Sequence, residues 1–316
     1  QVCFRHVIVV PFSSASAMEA VPVAGVPVQP DFVLLGPSGF LGSAILRTLE
    51  GAGHQVASSR VRLQDRVGME RLLDECRPSV GVVCAAGERG RPNISWCESH
   101  PVETLDANIT GQLSVAAACH ARGLHVIFLG TGAMYTADPG APGRRFKEED
   151  PPNARQNVYL ALRQKMEELL AYFDNALVLR VLYPVSSDLD PRGLIGKLAR
   201  FERVDPVRTS VTVLEDLLPL VPALARGRVT GVLNFANSGT AAYADIIEDL
   251  AFRAPLGWRR PVVDAAAAPR PACELDVGCL EEACGRVVPQ ASESLRRIVA
   301  ALGREELQAL VQSSHL

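Results

Sequence analysis

The sequence predicts an α/β fold, a doubly wound parallel sheet followed by a smaller C-terminal α/β lobe. Three observations carry this. Short, continuous apolar runs recur through the first 180 or so residues, as parallel strands buried on both faces require. Helical patterns separate those runs at the interval of βαβ units. A glycine-rich turn, Gly36-Pro37-Ser38-Gly39-Phe40-Leu41-Gly42, joins the first run to the first helix.

Phe32-Val33-Leu34-Leu35 opens the sheet, and residues 43–49 beyond the turn have helical spacing, closed by Gly51 and Gly53. Residues 54–59 read as the second strand, 66–75 as a helix and 80–86 as a third, buried strand. One long helix is expected over 102–122, then a strand over 125–129. Residues 157–173 are helical and 176–181 return to strand. After Tyr183 the pattern changes: Pro, Gly and Arg become frequent, and short apolar runs at 210–214 and 231–235 alternate with helices. The expected division is therefore an extension over 1–30, a dinucleotide-binding domain over 31–183 and a substrate-binding lobe over 184–316. Pro-spaced Val and Ala from 21 to 30 read as an extended tether ahead of the first strand.

The 316 residues are 48% hydrophobic and 21% charged, which suits one large core with or without a second lobe. A formal net charge of -3 gives no electrostatic basis for binding nucleic acid or an anionic membrane. No apolar run approaches the roughly 20 residues of a membrane-spanning helix. None of the eight cysteines forms a Cys-x-x-Cys pair. The one tight group, Cys273, Cys279 and Cys284, has no histidine nearby, so no metal is expected. A chain of this length needs no disulfide staples, and reduced thiols in a cytoplasmic compartment are the expectation. Residues 1–17 carry Arg5, His6 and several serines without an acidic residue, which leaves open an organellar address, mitochondrial or plastid. The sequons at Asn93 and Asn108 matter only in a secreted chain.

The glycine turn follows a buried strand and opens a helix, the context in which such a motif binds a dinucleotide. Gly36 permits the tight turn, Gly39 lets the backbone approach a pyrophosphate, and Gly42 allows close helix packing. The helix N-terminus then offers free N–H groups and a partial positive charge. Ser38, Phe40 and Leu41 in the turn, with Ala85, Ala86 and Gly87 after the third strand, complete the cofactor-binding candidates on this side. Past the second strand an acidic residue would favour a ribose diol and arginine a 2′-phosphate. The sequence offers Ser58, Ser59, Arg60 and Arg62, with no carboxylate before Asp65, so NADP(H) is expected over NAD(H).

Five further stretches give the chain a family likeness. They are Gly90-Arg91-Pro92-Asn93-Ile94-Ser95-Trp96-Cys97-Glu98-Ser99-His100, Phe146-Lys147-Glu148-Glu149-Asp150, Glu167-Glu168-Leu169-Leu170, Pro184-Val185-Ser186-Ser187-Asp188-Leu189 and Glu274-Leu275-Asp276. The sequence resembles the plant-type nucleotide-rhamnose synthases, bifunctional UDP-4-keto-6-deoxyglucose 3,5-epimerase/4-reductases among the extended short-chain dehydrogenases with a Rossmann-type fold. The bacterial dTDP-4-dehydrorhamnose reductases are similar but lack the Trp-Cys-Glu segment. The resemblance implies an NADPH-dependent reductase acting on a nucleotide-sugar substrate. It assigns Thr131 the orienting of the substrate carbonyl and Tyr159 the protonation of the alkoxide. A phenol of ordinary pKa near ~10 needs a cation beside it to do this near neutrality. The family's lysine one helical turn on, which also bonds the nicotinamide ribose, is Arg163 here. Arginine keeps the charge but not the compact ammonium. Lys165 lies off that face. For epimerisation the resemblance assigns an acid/base pair to Cys97 and Lys197, the latter by way of a loop at Asp190-Pro191-Arg192 one residue shorter than the family's. It makes Asn108 the active-site-helix asparagine, for which a locally bonded helix residue is the plainer reading.

Two other readings stay open at this point. One is a catalytically impaired NADP(H)-binding subunit of a larger assembly, motivated by Arg163 and the N-terminal extension; an active enzyme would instead be a candidate homodimer. The other is an isomerase or dehydratase that keeps NAD bound throughout its cycle.

Overall fold

In the computed structural model, which describes residues 29–91, 93–137, 143–154, 157–254, 258–267 and 272–312, the first apolar run is strand β1 (Phe32–Leu35), buried at all four positions. The glycine turn feeds α1 (Phe40–Gly51), and β2 (Val56–Ser59) follows, partly exposed along its length. Helix α2 (Arg66–Cys76) starts on Asp65, whose carboxylate accepts a hydrogen bond from Gly68 N at 2.9 Å. Strand β3 (Gly81–Cys84) is buried throughout. Next come α3 (Trp96–Ser99), α4 (Pro101–Leu105), one π-helical turn (Asp106–Thr110) and α5 (Gly111–His120). The helix expected over 102–122 is thus continuous from Pro101 to His120, with one π-helical turn inside it. At that turn, the Asn108 side chain bonds Thr104 O within the helix and the backbone of Glu88 outside it.

Strand β4 (Val126–Thr131), the short β5 (Arg145–Phe146), α6 (Val158–Leu170) and β6 (Ala176–Val181) follow. Then come β7 (Pro184–Val185), α7 (Leu194–Leu198), β8 (Arg203–Val204), β9 (Thr212–Val213), α8 (Leu214–Leu217) and α9 (Val221–Arg226). The chain ends through β10 (Gly231–Phe235), α10 (Tyr243–Ala251), β11 (Val262–Val263), β12 (Glu274–Leu275), α11 (Gly278–Cys284), α12 (Ala291–Ala301) and α13 (Arg304–Gln312).

Six strands form one sheet in the order β10-β6-β4-β3-β1-β2. The pairs β1–β2, β1–β3 and β3–β4 are parallel, so the chain builds outward from β1 on one side, then crosses over and builds on the other. This is the doubly wound sheet the sequence predicts. The run at 231–235, expected in the smaller lobe, is instead the edge strand β10 of this sheet. Its apolar character reads the same in either setting, so the pattern had no means of telling them apart.

Internal contacts divide the chain into two units. The first takes residues up to Phe128, with Lys165–Val178 and Val221–Gly231. Its buried residues include Phe32, Leu34, Ile45, Leu49, Met69, Val83 and Phe128. The second takes Leu129–Gln164, Leu179–Leu220 and the chain from Val232 on. Its core gathers Val185, Leu194, Ile195, Val213, Ile247 and Leu295. Three parallel two-stranded pairs, β5–β12, β7–β9 and β8–β11, stitch it together. Among the described residues no helix is long and apolar enough to cross a membrane.

Candidate active site

In the first unit, the glycine turn is shaped by two steric demands. Gly36 has φ +76°, and a Cβ there would lie 2.8 Å from Ala86. A Cβ on Gly42 would lie 2.1 Å from Gly36 O, so the helix can approach the turn only without a side chain. Gly39 differs. Its nearest neighbour to a Cβ would be Gly36 O at 3.7 Å, so the protein's own packing does not require glycine there. The open space in front of it suits the close approach of a phosphate. Gly39 also caps α1 without a side-chain hydrogen bond, and the first turn holds no acidic residue. The N–H groups and partial positive charge of the helix end are therefore left for an anion. These residues fit a dinucleotide pyrophosphate. Ser38 is exposed at the turn, with Phe40 and Leu41 half-buried behind it.

At the end of β2, Ser59 O accepts a hydrogen bond from Gly36 N at 3.2 Å, and Ser59 Oγ accepts from Val61 N at 3.2 Å. Arg60 and Arg62 are exposed and make no ion pair among the described residues. Asp65 is engaged in capping α2. The segment beyond β2 thus presents guanidinium groups and no uncommitted carboxylate, as a 2′-phosphate requires.

At the end of β3, Ala85 N donates to Leu35 O at 3.0 Å, and Ala86 packs on Gly36 while Gly87 is exposed. Two buried side chains hold this segment. Gln112 donates to Ala86 O at 2.8 Å. Asn108 donates to Glu88 O at 2.6 Å, and its Oδ1 accepts from Glu88 N at 3.3 Å. Asn108 therefore clips the loop that borders the cofactor segment. Gln112 and Glu88 were not among the sequence candidates. The available signal was Gln112 standing one helical turn after Asn108 on the same face.

Cys97 belongs to the same unit and is fully buried. Its segment winds tightly around Gly90 (φ +80°), where a Cβ would lie 2.5 Å from Asn93 O and 3.4 Å from Cys97 Sγ. The Trp96 and His100 rings stack at 4.0 Å beside it.

The second unit holds Thr131, Tyr159, Arg163 and Lys197. Thr131 ends β4, 9% exposed, and its Oγ1 accepts from Ala133 N at 3.2 Å, which leaves the hydroxyl proton as a donor. Tyr159 lies half-buried in the first turn of α6, which Asn157 caps through Oδ1 to Leu160 N at 2.8 Å. Arg163 stands one turn on, in the interior at 4% exposure. Lys165 points to solvent and bonds Glu168 at 2.7 Å, as the helical phase predicts. Lys197 is half-buried on α7. The structure brings Tyr159 and Arg163 onto one helix face and puts Cys97 and Lys197 in different units.

Two of the other family-like stretches supply paired strands. Phe146 and Leu275 lie in the paired strands β5 and β12. Arg180, fully buried, donates to Tyr135 Oη at 2.8 Å and to Glu148 O at 3.1 Å. The Glu148 carboxylate accepts from Asn234 N at 2.8 Å. Burial holds this carboxyl above the usual carboxylate range, against that bond and the charge of Arg180.

Residues 32–188 match the NAD dependent epimerase/dehydratase family. The chain is 39% identical over 222 residues to the bifunctional dTDP-4-dehydrorhamnose 3,5-epimerase/dTDP-4-dehydrorhamnose reductase of Arabidopsis thaliana, covering 69% of this chain and 73% of that one. It is 36% identical over 230 residues to a trifunctional UDP-glucose 4,6-dehydratase/3,5-epimerase/reductase of the same plant, but spans only 34% of that protein. Among solved structures, the L780 UDP-rhamnose synthase of Acanthamoeba polyphaga mimivirus superposes with a TM-score of 0.77 at 26% identity, covering 85% of this chain and 98% of that one. A dTDP-4-dehydrorhamnose reductase of Bacillus anthracis in complex with NADP shares the fold, with a TM-score of 0.69 at 17% identity over 87% of this chain and 99% of that one.

Proposed function

Because the chain belongs to the NAD dependent epimerase/dehydratase family, among its nucleotide-rhamnose-forming members, we propose that it is an NADPH-dependent reductase with 3,5-epimerase activity on a nucleotide-linked 4-keto-6-deoxyhexose. The observation that supports it most is Thr131 closing β4 and Tyr159 opening α6, in a chain whose Gly39 turn stays open to a phosphate. On this reading residues 31–183 serve the cofactor and 184–316 the sugar.

The Gly36–Gly42 turn and the α1 N-terminus hold the pyrophosphate, and Arg60 and Arg62 hold the 2′-phosphate. When bound, NADPH supplies the hydride that reduces the C4 carbonyl. The Thr131 hydroxyl donates a hydrogen bond to the carbonyl oxygen and fixes its direction. Tyr159 gives that oxygen a proton as negative charge develops there. Arg163 stands one helical turn away on the same helix face and supplies a positive charge there. Before reduction, Cys97 and Lys197 act in turn at C3 and C5, one taking the proton beside the ketone and the other returning a proton to the opposite face. The seven described cysteines are free thiols, which agrees with the cytoplasm as the working compartment.

The test is to incubate the protein with NADPH and UDP- or dTDP-4-keto-6-deoxyglucose and analyse the sugar. A 6-deoxyhexose of the L-rhamno configuration, formed with stoichiometric NADPH oxidation, is expected. Turnover without cofactor oxidation would instead identify an isomerase or dehydratase.

A further inference from the structure

Lys197 owes its position to a segment that the rest of the second unit clamps at two points. The first clamp is Glu215. The pairing of β7 with β9 brings this residue, two past the end of β9, alongside Ser186 and Ser187. One carboxylate oxygen, Oε1, accepts three hydrogen bonds: from Ser187 N at 2.7 Å, Ser187 Oγ at 2.8 Å and Ser186 Oγ at 3.2 Å. The clamped stretch lies between two non-glycine residues in the left-handed region, Tyr183 (φ +42°) and Leu189 (φ +51°), a conformation that persists only where the surroundings enforce it. Both side chains pack against the core of the unit.

The second clamp carries that placement into α7. Asp190 O accepts from Gly193 N at 2.8 Å, and a Cβ on Gly196 would lie 2.6 Å from the same oxygen, so the helix sits directly on the turn. Arg200 ties both ends, donating to Pro191 O at 2.6 Å and to Gly196 O at 3.0 Å. Leu194, Ile195, Gly196 and Leu198 are buried, and Lys197 is the one residue of the helix that leaves the core. A rigid path of backbone therefore runs from the Glu215 carboxylate to the Lys197 side chain.

We propose that Glu215 is a positioning residue for Lys197 in the epimerisation step, an inference that rests on the epimerase half of the function proposed above. In that step Cys97, acting as a thiolate, takes the proton from the C–H bond beside the ketone, whose electron pair enters the enolate, and the resulting thiol later returns that proton to solvent. A proton from the Lys197 ammonium then forms the new C–H bond, and the amine is reprotonated from solvent. In D2O the lysine carries deuterium, so the product gains a C–D bond. Glu215 touches neither substrate nor the reacting atoms. It is exposed and no buried group of the core depends on it, so its variants are expected to fold.

The experiment follows deuterium incorporation into the 4-keto-6-deoxy nucleotide sugar without NADPH, and separately follows NADPH oxidation with the already epimerised 4-keto sugar. Glu215→Ala should slow incorporation about tenfold, as a small displacement of a catalytic group does, while the reduction rate and Tm stay close to wild type. Glu215→Gln keeps an oxygen able to accept all three bonds and should restore most of the incorporation. Unchanged incorporation in Glu215→Ala, or an equal loss in both reactions, overturns the assignment. Wild-type protein that reduces the epimerised sugar but never exchanges overturns it together with the epimerase reading, and leaves the reductase reading standing.

Discussion

On the proposed mechanism, Arg163 is a position where one conservative change should alter the rate. It places a planar guanidinium, rather than a compact ammonium, one helical turn from Tyr159 in the interior. Arg163→Lys is expected to raise kcat by about tenfold with little change in substrate KM, since the charge is kept and only its placement improves. Steady-state kinetics checks this. If Arg60 and Arg62 hold a 2′-phosphate as proposed, replacing both with serine should weaken NADPH binding about 100-fold and leave NADH binding unchanged, by fluorescence titration. These residues were legible because the chemistry they serve is tied to a short local spacing. Gln112 and Glu88 were not, because their bonds join segments some twenty residues apart and no local pattern announces them. Cys97 was legible as a motif residue, yet nothing in the motif tells that the thiol is fully buried.

Among the elements, the glycine turn and the clip on Glu88 give the proposed cofactor site its two sharpest tests. Gly42→Ala would drive a methyl group to 2.1 Å from Gly36 O. It should abolish NADPH binding and destabilise the fold by about 2–4 kcal/mol through the forced backbone shift, measured by calorimetry and urea unfolding. Asn108→Ala removes the bonds to both backbone groups of Glu88 and should cost about 2–3 kcal/mol. The same variant should raise KM for NADPH, because the loop beside Ala86 loses its anchor. The turn was readable from glycine spacing alone. The π-turn at Asp106–Thr110 was not, since the 3.6-residue apolar period does not distinguish a π turn from the α-helix around it. The two-residue strands β5, β7, β9 and β12 carry no periodic signal, so three of them were legible only as parts of family-like stretches and their pairing was not legible at all.

Across the whole molecule, the parallel sheet was legible because strands buried on both faces need continuous apolar runs, and β1, β3 and β6 are buried at every position. Which sheet the run at 231–235 joins was not, because burial is the same in either place. The fold also carries a pH liability that no motif signals. His125, fully buried with Nε2 donating to Val229 O at 2.7 Å, has its pKa pushed down to about 4 by burial, with Arg228 adding to the effect. A base whose folded pKa is lowered binds its proton only after the unfolded chain has done so. Stability is therefore full above about pH 6.5 and falls as pH drops toward 4, by up to about 3 kcal/mol from this residue. Urea unfolding at neutral pH and near pH 4.5 should show that loss in wild type and a smaller one in His125→Gln. The central claim, that Tyr159 makes this chain a reductase of a nucleotide-linked 4-keto-6-deoxyhexose, is tested most directly by NADPH oxidation with the 4-keto sugar in wild type and Tyr159→Phe. Wild type should turn over, and the variant should lose at least about 100-fold in kcat while still binding NADPH. A wild-type protein that binds NADPH but never oxidises it, or a phenylalanine variant as fast as wild type, would contradict it.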